Sequence, residues 1–507
     1  MKKYIQISNA EPVDIHDVPV LRYEDFCDTV IVLLKDTQAH IISYHAYKHQ
    51  GVLRFIIIIA HDKTCLLYVT AHELYLQFFK AIHSLVPDIP SIAMYEREIC
   101  ENYGIDFIDH PWLKPVRYPH NRKNKLHEIF NYPFFTISGD EVHEVGVGPI
   151  HAGVIEPGHF RFVCVGENVK HLEIQLGYQH RGVESLFIDK LHPLQRMILA
   201  ESVAGDAVVA HALAHIMAVE SIIGYIPTNR IQISRTIASE LERIAVHVGD
   251  LSGICTDIAY QLGSAVFGAL RTPIINYIQS WCGNRFAKGL LRVGYEPYPL
   301  TTALLSNLKN VLQVFEKKYV EISDKTFSQP NVLNRLQKTG IVTTEQGLLT
   351  GATGMIARTM DINRDIRLTH SYQYYLTSKP DKAILEDGDT YARSKIRDLE
   401  IRNSIKYIYT LISALEASTD NFDKYRDNIF GYTLPANKLV VSLTESWRGE
   451  TMHAIITGTT GEILQYKIKD ASFNNWIALA IALRNNEISD FPVCNKSFDL
   501  SYCGHDL

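Results

Sequence analysis

Short runs of β-branched and apolar residues, each bounded by polar residues, dominate the first part of the chain. Residues 29–35, 52–60 and 64–70 are such runs, and their length and composition predict a strand in each. Residues 72–86 instead carry apolar side chains at helical spacing, which predicts a helix there. We therefore expect an α+β domain over residues 1–122.

The apolar pattern changes after a linker at residues 123–144, a stretch that is basic, then aromatic, then loop-like. A short β region over residues 145–176 comes next. Long helical patterns follow. The clearest, over residues 229–262, repeats apolar side chains at alternating spacings of three and four, and residues 192–223 and 395–418 are similar.

In the last part of the sequence, residues 438–457 and 463–484 predict a small β part and a closing helix. The expected fold class is therefore an α+β N-terminal domain followed by a mainly α-helical domain with small β elements, over residues 145–507. The length of 507 residues agrees with two or more domains, because a single hydrophobic core stops growing well below that size.

Composition and charge narrow the class of protein. Hydrophobic residues are 46% and charged residues 21%, as in a folded globular protein, and a net charge of −6 gives no basic excess for nucleic acid. No apolar run is long enough for a membrane-spanning helix, and we find no signal peptide. The eight cysteines form no CxxC pair, which indicates reduced and mostly buried thiols. The sequence contains no GxGxxG loop between a strand and a helix, the pattern that would indicate a nucleotide site.

The stretch from Glu98 to Pro119 carries the first resemblance to a known family. It reads EICENYGIDFIDHPWLKPVRYP and resembles the signature of the small peripheral-arm subunit of proton-pumping NADH–quinone oxidoreductase. In that family this domain is a docking platform rather than a catalyst. The alternative is a plain strand and turn, with a structural Gly104 and a His-Pro turn.

Five further stretches, in the same order along the chain, resemble the large subunit of energy-converting nickel–iron hydrogenases of the formate-hydrogenlyase type. They are residues 148–162, 177–184, 242–251, 357–367 and 445–450. The resemblance implies the hydrogenase large-subunit fold for the second domain. Together with the first stretch, it implies a fusion of the two peripheral-arm subunits, in which the same fold carries the quinone site of NADH–quinone oxidoreductase.

The resemblance also locates the cysteine pairs that hold a nickel–iron centre, and this chain lacks them. Ala204 and Ala207 stand at the first pair. Aligned without gaps, the second pair falls on Ser501 and Gly504, with Cys503 between them. Nickel and iron need soft thiolate ligands, and one thiol cannot replace four. We predict that the nickel–iron centre is lost and that this chain binds no metal or other cofactor of its own.

Two interpretations of Cys503 stay open. The plainer one is a buried cysteine without a chemical role. The sharper one pairs Cys503 with His505 as a new metal or redox site, although two ligands are too few for a stable site.

A cavity without nickel can accept a quinone, as it does in NADH–quinone oxidoreductase, and reduction of a quinone needs proton donors. His151 and His159 on the entrance hairpin are the candidate donors. The family's quinone tyrosine would lie within residues 201–206, where this sequence has none. The resemblance places His247 beside the 4Fe-4S cluster of a partner subunit, where its protonation can follow cluster reduction. A hydrogen-bonded interfacial histidine is the alternative.

Several charged residues fall on mostly apolar elements, where charges must be paired. The resemblance implies that they form a chain from the cavity toward the membrane arm, and simple salt bridges are the alternative. Glu184 and Asp250 are also candidates for a catalytic role. The remaining members are Arg358, Asp361, Arg364, Arg367, Glu445 and Arg448.

These expectations describe a peripheral-arm subunit of a membrane-bound, ion-translocating oxidoreductase complex on the cytoplasmic side of the inner (cell) membrane. Its expected partners are a small 4Fe-4S subunit, a ferredoxin-like subunit, and antiporter-like and other membrane subunits, but no nucleic acid. A quinone is the candidate ligand of the nickel-free cavity. An active nickel–iron hydrogenase and a non-catalytic scaffold are the alternatives.

Overall fold

The computed structural model of the chain describes residues 2–78, 80–153, 155–417 and 431–507. The elements of its first part are β1 (Ile5–Ile7), β2 (Val13–Asp14), β3 (Val20–Leu21), α1 (Tyr23–Leu34), β4 (Ala39–His49), β5 (Val52–His61), β6 (Leu66–Leu74), β7 (Ala81–His83), α2 (Ala93–Tyr103) and β8 (Asp106–Ile108). The main sheet has the antiparallel order β1-β6-β5-β4, and β3 pairs with β6 in parallel. Strands β7 and β8 form a separate parallel pair.

The structure bears out two of the four elements predicted in this part. Residues 52–60 lie in β5, and most of residues 64–70 lie in β6. The strand predicted at residues 29–35 is wrong, because this run is the second half of helix α1. Phe26 and Val30 lie one helical turn apart and are both buried against the sheet, so the β-branched run covers only one face of a helix.

The helix predicted at residues 72–86 is also wrong. Its beginning continues β6, which is hydrogen-bonded to β5 as far as Leu74, and residues 81–83 form β7 beside β8. Pairing with β5 and with β8 therefore overrides the local helical spacing. Phe79, one of the apolar residues on which that prediction depended, lies outside the described residues.

The second part of the chain is mainly helical. Its elements are β9 (Val142–Val147), β10 (His159–Val165), β11 (Asn168–Gln175), α3 (Val183–Asp189), α4 (Pro193–Ala200), α5 (Val208–Ile223), α6 (Asn229–Asp257), α7 (Gln261–Cys282), α8 (Thr302–Thr326), α9 (Pro330–Leu336), α10 (Thr344–Thr350), α11 (Gly354–Arg358), α12 (Ile366–Thr369), α13 (Thr390–Ala417), β12 (Lys438–Glu445), β13 (Glu450–Thr457), β14 (Ile463–Lys469), α14 (Ser472–Ala482), α15 (Phe491–Phe498) and α16 (Tyr502–Asp506). The predicted fold class, an α+β region followed by a mainly helical region with small sheets, is confirmed.

Most elements predicted in the second part are also confirmed. The short β region is the antiparallel sheet β11-β10-β9, and the closing part is the hairpin β12–β13 with β14 and α14. The long pattern over residues 229–262 is α6, which ends at Asp257. Residues 192–223 form two helices, α4 and α5, rather than one, and the break between them contains the alanines at the predicted ligand positions. Helix α13 covers residues 395–417, and Ser418 lies outside the described residues.

Strand β2 joins the sheet of the second part, whose order is β14-β13-β12-β2. One hydrophobic core also contains residues of both parts, such as Ile56 and Val69 of the first sheet and Leu213 and Ile244 of α5 and α6. The boundary at residues 123–144 stays a prediction. None of the helices in the described ranges combines the length and apolar character that a membrane crossing requires.

Candidate functional site

One buried cluster lies where helix α6 meets three other parts of the chain. They are the segment between α4 and α5, the turn between β12 and β13, and the start of α16. Its side chains are Ala204, Ala207, Val246 and Trp447, with Cys503 packed against them. We call this group the Trp447 cluster. The fold therefore brings both stretches that the resemblance assigned to cysteine pairs to the same place.

Close backbone packing fixes the turn that presents Trp447. Gly449 and Gly354 both have positive φ, and a Cβ on Gly354 would overlap the Cα of Gly449, so neither position has room for a side chain. Trp447 Nε1 donates to the carbonyl of Asp206 at 2.9 Å, and Arg448 donates two bonds of 2.7 Å to the Asp206 carboxylate. These bonds tie the turn to the segment that precedes α5.

The second pair of predicted ligand positions lies at the start of α16. The N–H of Gly504 donates to Ser501 Oγ at 2.9 Å, so Ser501 caps the helix. A Cβ on Gly504 would lie 2.8 Å from both Ser501 Oγ and Asp470 Cγ. The Asp470 carboxylate therefore occupies the space beside this position. The four positions together offer two methyl groups, one hydroxyl and a glycine.

Cys503 brings a thiol to the cluster. Its Sγ lies 3.5 Å from Ser501 Oγ. Burial, and then the carboxylate of Glu156, raise the pKa of this thiol to about 11, so it is protonated near neutral pH. A nickel–iron centre needs four soft thiolates, and this donor set does not fit such a group.

His505, the predicted second member of a new pair with Cys503, is engaged elsewhere. Its Nδ1 donates to the Asp506 carboxylate at 2.9 Å, and its ring stacks on Phe473 with centroids 5.5 Å apart. Among the residues that the structure describes, no three His, Cys, Asp or Glu side chains are grouped as a metal site would require.

The two histidines of the entrance hairpin are bonded to the hairpin itself. His151 Nε2 donates to the carbonyl of Gly158 at 2.8 Å, and His159 Nδ1 donates to that of Gly148 at 3.2 Å. Burial lowers the pKa of His159. The hairpin reaches α16 through Glu156, which accepts the backbone N–H of Tyr502 at 3.2 Å. Val154, in the same hairpin, lies outside the described residues.

His247 of α6 lies edge-to-face against Trp447, with ring centroids 5.8 Å apart. Its Nε2 bonds to the Glu400 carboxylate at 2.7 Å. Burial lowers the pKa of His247 to about 4 against the opposing effect of Glu400, so the ring is neutral near neutral pH. His247, which we predict to lie beside an iron–sulfur cluster of a partner subunit, thus contacts both the Trp447 cluster and a group of buried charges.

These charges form one connected set, which we call the Glu400 network. Arg358 donates to both Glu400 and Glu445, and Arg367 donates to Glu400 at 3.1 Å. Arg243 lies 3.5 Å from Glu400. Its members are Glu240, Arg243, Arg358, Asp365, Arg367, Glu400 and Glu445, and each is buried.

The network contains three guanidinium groups and four carboxyl groups. Burial opposes ionisation of each carboxyl, but the arginines outweigh it for Glu240, Asp365 and Glu400 and hold their pKa values below the usual range. Glu445 is different, since burial and then the charge of Asp365 raise its pKa to about 7. Three ionised carboxylates therefore balance three arginines, and the fourth carboxyl titrates near neutral pH.

The remaining predicted charges lie outside this network. Asp250 pairs with Arg397 at 3.0 Å, and Glu184 accepts a backbone N–H of β14 at 2.9 Å. Arg364 donates to a backbone carbonyl at 2.7 Å. Asp361 is exposed, with a positive φ of 58°. The structure thus gathers Arg358, Arg367 and Glu445 of the predicted set, and it separates the others.

Sequence reasoning did not select several members of the network as site residues. Glu240 and Arg243 lie three residues apart on the long buried helix α6, and Glu400 lies on α13. Charged residues are almost never fully buried without partners. A charged residue within the apolar stripe of a helix such as α6 therefore indicates a buried ion pair, and this was the signal that the sequence offered. That signal does not say which charges meet, because the partners are far apart in sequence.

Two family models match the chain. The respiratory-chain NADH dehydrogenase 30 Kd subunit matches residues 23–125, and the respiratory-chain NADH dehydrogenase 49 Kd subunit matches residues 261–427.

Curated relatives are similar over most of the chain. Formate hydrogenlyase subunit 5 of Escherichia coli is 26% identical over 438 residues, which cover 83% of this chain and 76% of that protein. NADH-quinone oxidoreductase subunit 4 of Thermus thermophilus is 25% identical, over 71% of this chain and 92% of its own length. Membrane-bound hydrogenase subunit alpha of Pyrococcus furiosus is 26% identical, over 70% of this chain and 85% of its own length.

Proposed function

We propose a role for this chain from its family relationships. The chain combines the 30 kDa and 49 kDa subunit families of respiratory-chain NADH dehydrogenase. It is distantly homologous to the large subunits of formate hydrogenlyase and hydrogenase-4. It is a peripheral-arm subunit of a membrane-bound, ion-translocating oxidoreductase complex. We take the surroundings of the Trp447 cluster as the counterpart of the family's central cavity, which here holds no nickel–iron centre and lies beside an iron–sulfur cluster of a partner subunit.

The observation that carries this proposal is the set of side chains at the predicted ligand positions. Two methyl groups, a capping hydroxyl and a glycine replace four thiolates, and the nearby thiol of Cys503 is protonated. Metal affinity depends on deprotonated ligands in the right number. The cavity therefore serves electron transfer with a substrate, or coupling between the redox and membrane subunits, rather than hydrogen activation.

The relatives support the presence of partner subunits. By their names, these proteins are a membrane-bound hydrogenase and several NADH-quinone oxidoreductase subunits. We extend to this chain a small 4Fe-4S subunit, a ferredoxin-like subunit and antiporter-like membrane subunits, with the chain on the cytoplasmic face of the membrane. His247 is the residue that we place nearest to the partner's cluster.

A quinone is the substrate class that suits a nickel-free cavity in this family. The chain's contribution is to orient the ring and to supply protons to its oxygens. His151 and His159 each have one nitrogen bonded to the hairpin backbone, so the hairpin fixes the orientation of both rings. They are the proposed donors. The second nitrogen of a neutral ring carries no hydrogen, so each ring must first bind a proton there before it passes that proton to the quinone oxygen.

The test uses the intact complex purified through this chain. Nickel is measured by mass spectrometry, and the paramagnetic signals of the partner cluster are followed after addition of hydrogen or of a quinone. We expect no stoichiometric nickel, no response to hydrogen and oxidation of the cluster by the quinone. One nickel per chain, or reduction of the cluster by hydrogen, would instead establish an active hydrogenase.

Single variants separate a catalytic cavity from a scaffold. We expect His151→Gln and His247→Gln to slow electron transfer to the quinone at least tenfold, about 1.4 kcal/mol in the barrier. The matched controls are the exposed His120→Gln and the buried His72→Gln, which lie outside the cavity. Unchanged electron transfer in both cavity variants would favour a non-catalytic scaffold.

A further inference from the structure

A cavity of about 380 Å³ lies where the first part of the chain meets the second, and this volume suits a small-molecule site. It shares none of its lining side chains with the five of the Trp447 cluster. Its walls come from α2, the segment after β8, the linker, β11 and α14. We call it the Trp112 cavity, and its apolar lining includes Met94, Trp112, Phe135, Leu172, Trp476 and Ile481.

Arg97 of α2 holds one wall of the Trp112 cavity in place. Its Nε donates to the carbonyl of Lys114 at 2.7 Å, and its Nη2 donates to that of Pro115 at 2.7 Å. Its guanidinium also lies over the ring of Trp112, 4.1 Å from the centroid. Only 3% of Arg97 is exposed, so a buried charged side chain fixes the segment after β8.

Helix α14 supplies a second wall. Trp476 and Ala480 lie four residues apart and therefore on one face of the helix, and Arg484 follows at the same spacing just after the helix ends. Ile477 and Ile481 line the cavity from the adjacent positions. Because α14 packs on β11, this face is held against the sheet of the second part.

The Trp112 cavity carries positive charge that no ion pair offsets within the described residues. The acceptors of Arg97 are all uncharged: two carbonyls, the sulfur of Met94 and the hydroxyl of Tyr132. The side chain of Arg484 has neither a hydrogen-bond nor an ion-pair partner in the described ranges. Buried charges need partners, so an anionic ligand suits this cavity.

Three polar groups in the lining are not fully hydrogen-bonded. A guanidinium carries five N–H groups and Arg97 has four acceptors, so one N–H is left over. Trp476 Nε1 and His505 Nε2 have no partner among the described residues. Trp476 is 3% exposed and His505 is 1% exposed. Since buried polar groups are normally paired, these three groups indicate where the polar end of a ligand lies.

His505 offers an acceptor rather than a donor. Its Nδ1 donates to the Asp506 carboxylate at 2.9 Å, so Nε2 of the neutral ring carries no hydrogen. Burial lowers the pKa of His505, and the charges of Arg117 and Arg97 act in the same direction, so the ring is neutral near neutral pH. The lining therefore presents two donors and one acceptor. A hydroxyl group, with two lone pairs and one O–H, complements them.

We propose that the Trp112 cavity binds a small planar aromatic acid with a hydroxyl at one end and a carboxylate at the other. The hydroxyl meets Arg97, Trp476 and His505 at the buried end. The ring lies along the apolar lining beside Trp112. The carboxylate pairs with Arg484 at the mouth of the cavity, where Arg484 is exposed.

The ligand would contact both parts of the chain, because Arg97 and Trp112 belong to the first part and Trp476 and Arg484 to the second. A molecule that binds only the folded chain stabilises it by mass action. Binding therefore strengthens the contact between the two parts and raises the temperature at which the chain unfolds. This role goes beyond the proposed function, since it requires neither the Trp447 cluster nor electron transfer.

The first test is calorimetric titration of the purified full-length chain with para-hydroxycinnamate, which is planar and carries the two groups at opposite ends. Cinnamate lacks the hydroxyl, and para-ethylphenol lacks the carboxylate. We expect each omission to weaken binding at least tenfold. Equal affinity for the three compounds, or no binding of para-hydroxycinnamate up to millimolar concentration, would overturn the proposal.

Two variants assign the two ends of the ligand. Arg484→Gln should weaken binding of para-hydroxycinnamate about tenfold and leave that of para-ethylphenol unchanged. Trp476→Phe keeps an aromatic ring but removes the N–H, so it should weaken binding of the two hydroxylated compounds and not that of cinnamate. The matched control is Arg285→Gln, an exposed arginine that does not line the cavity. Wild-type affinities in both cavity variants would place the ligand elsewhere and refute the assignment.

The same titration of the intact complex shows whether the site stays available after assembly. We expect the affinity for para-hydroxycinnamate to be the same in the complex as in the chain alone. Binding that disappears on assembly would mean that a partner subunit fills the cavity, which would contradict a small-molecule site. These affinities are measured without the partner's cluster, so their failure and the failure of the proposed function are separate results.

Discussion

The Glu400 network makes a quantitative prediction through two substitutions that look alike in sequence. Glu400→Gln removes one of three ionised carboxylates that balance Arg243, Arg358 and Arg367. Since the network is buried, this change leaves an excess positive charge that water cannot stabilise. We expect a loss of about 3–5 kcal/mol in the free energy of unfolding, the cost of removing one partner of a buried ion pair.

Glu445→Gln is the matched comparison in the same network. The pKa of Glu445 is about 7, so near neutral pH this carboxyl is already partly protonated, and a neutral amide changes the charge balance less. The amide still loses an acceptor, because Glu445 accepts from both Arg358 and the backbone N–H of Ile366. We expect a loss of about 1–2 kcal/mol.

The pH dependence has a definite sign. The folded-state pKa of Glu445 is raised above its ordinary value, so its protonated form favours folding, and this contribution is lost as pH rises through about 7. Between about pH 6 and about pH 8 the advantage of the wild-type chain over Glu445→Gln should therefore fall by about 1 kcal/mol. The advantage over Glu400→Gln should stay large throughout.

Urea unfolding of the purified full-length chain, followed by tryptophan fluorescence, measures both effects. The two variants are compared at equal pH and salt, because only the difference between them is needed. Equal losses in the two variants would contradict the charge balance derived from the structure. So would a Glu445→Gln variant whose deficit grows as the pH is raised.

Three further predictions concern the Trp447 cluster and its supports. Gly354→Ala should abolish folding or lower the free energy of unfolding by more than about 3 kcal/mol, because its Cβ would overlap the turn at the cluster. Gly166 also has a positive φ but lies in open space, so Gly166→Ala should lower it by only about 1 kcal/mol, and thermal denaturation measures both losses. Only about one thousandth of Cys503 is thiolate near pH 8, so iodoacetamide should label it far more slowly than exposed Cys65, as peptide mass spectrometry will show. Arg448→Lys loses the two parallel bonds to the carboxylate before α5 and should destabilise the chain by about 2 kcal/mol; full wild-type stability would contradict the role given to that pair.

Local patterns predicted those elements whose partners are themselves local or whose apolar faces are unambiguous. Residues 52–60 are buried on both faces as the central strand β5, and a short apolar run suffices to predict such a strand. The same rule fails at residues 29–35, where a similar run forms the buried face of helix α1. The difference lies in Phe26, one turn earlier, which continues the buried stripe.

The candidate site was predictable only in part. Motif order assigned Ala204, Ala207 and Ser501 to equivalent roles, and the fold gathers the alanines with Cys503 near the start of α16. The bond between His247 and Glu400 joins two helices far apart in sequence, and no spacing rule pairs them. The hydrogen bonds that join His211, His453 and Tyr466 depend in the same way on an alignment of α5 with β13 and β14 that only tertiary packing provides.

The pairing of β2 with β12 constrains how the protein can be made. The segment that contains β2 leaves the ribosome long before strand β12, with which it pairs, as the bonds from Ala10 to Val441 and from Ile15 to Asn437 record. The first domain can form its own sheet during synthesis, but this segment must wait in an unpaired state. Separate expression of the two parts would leave β12 with an open edge, ready to pair with another chain. Covalent fusion keeps the waiting segment at high local concentration until its partner strand emerges.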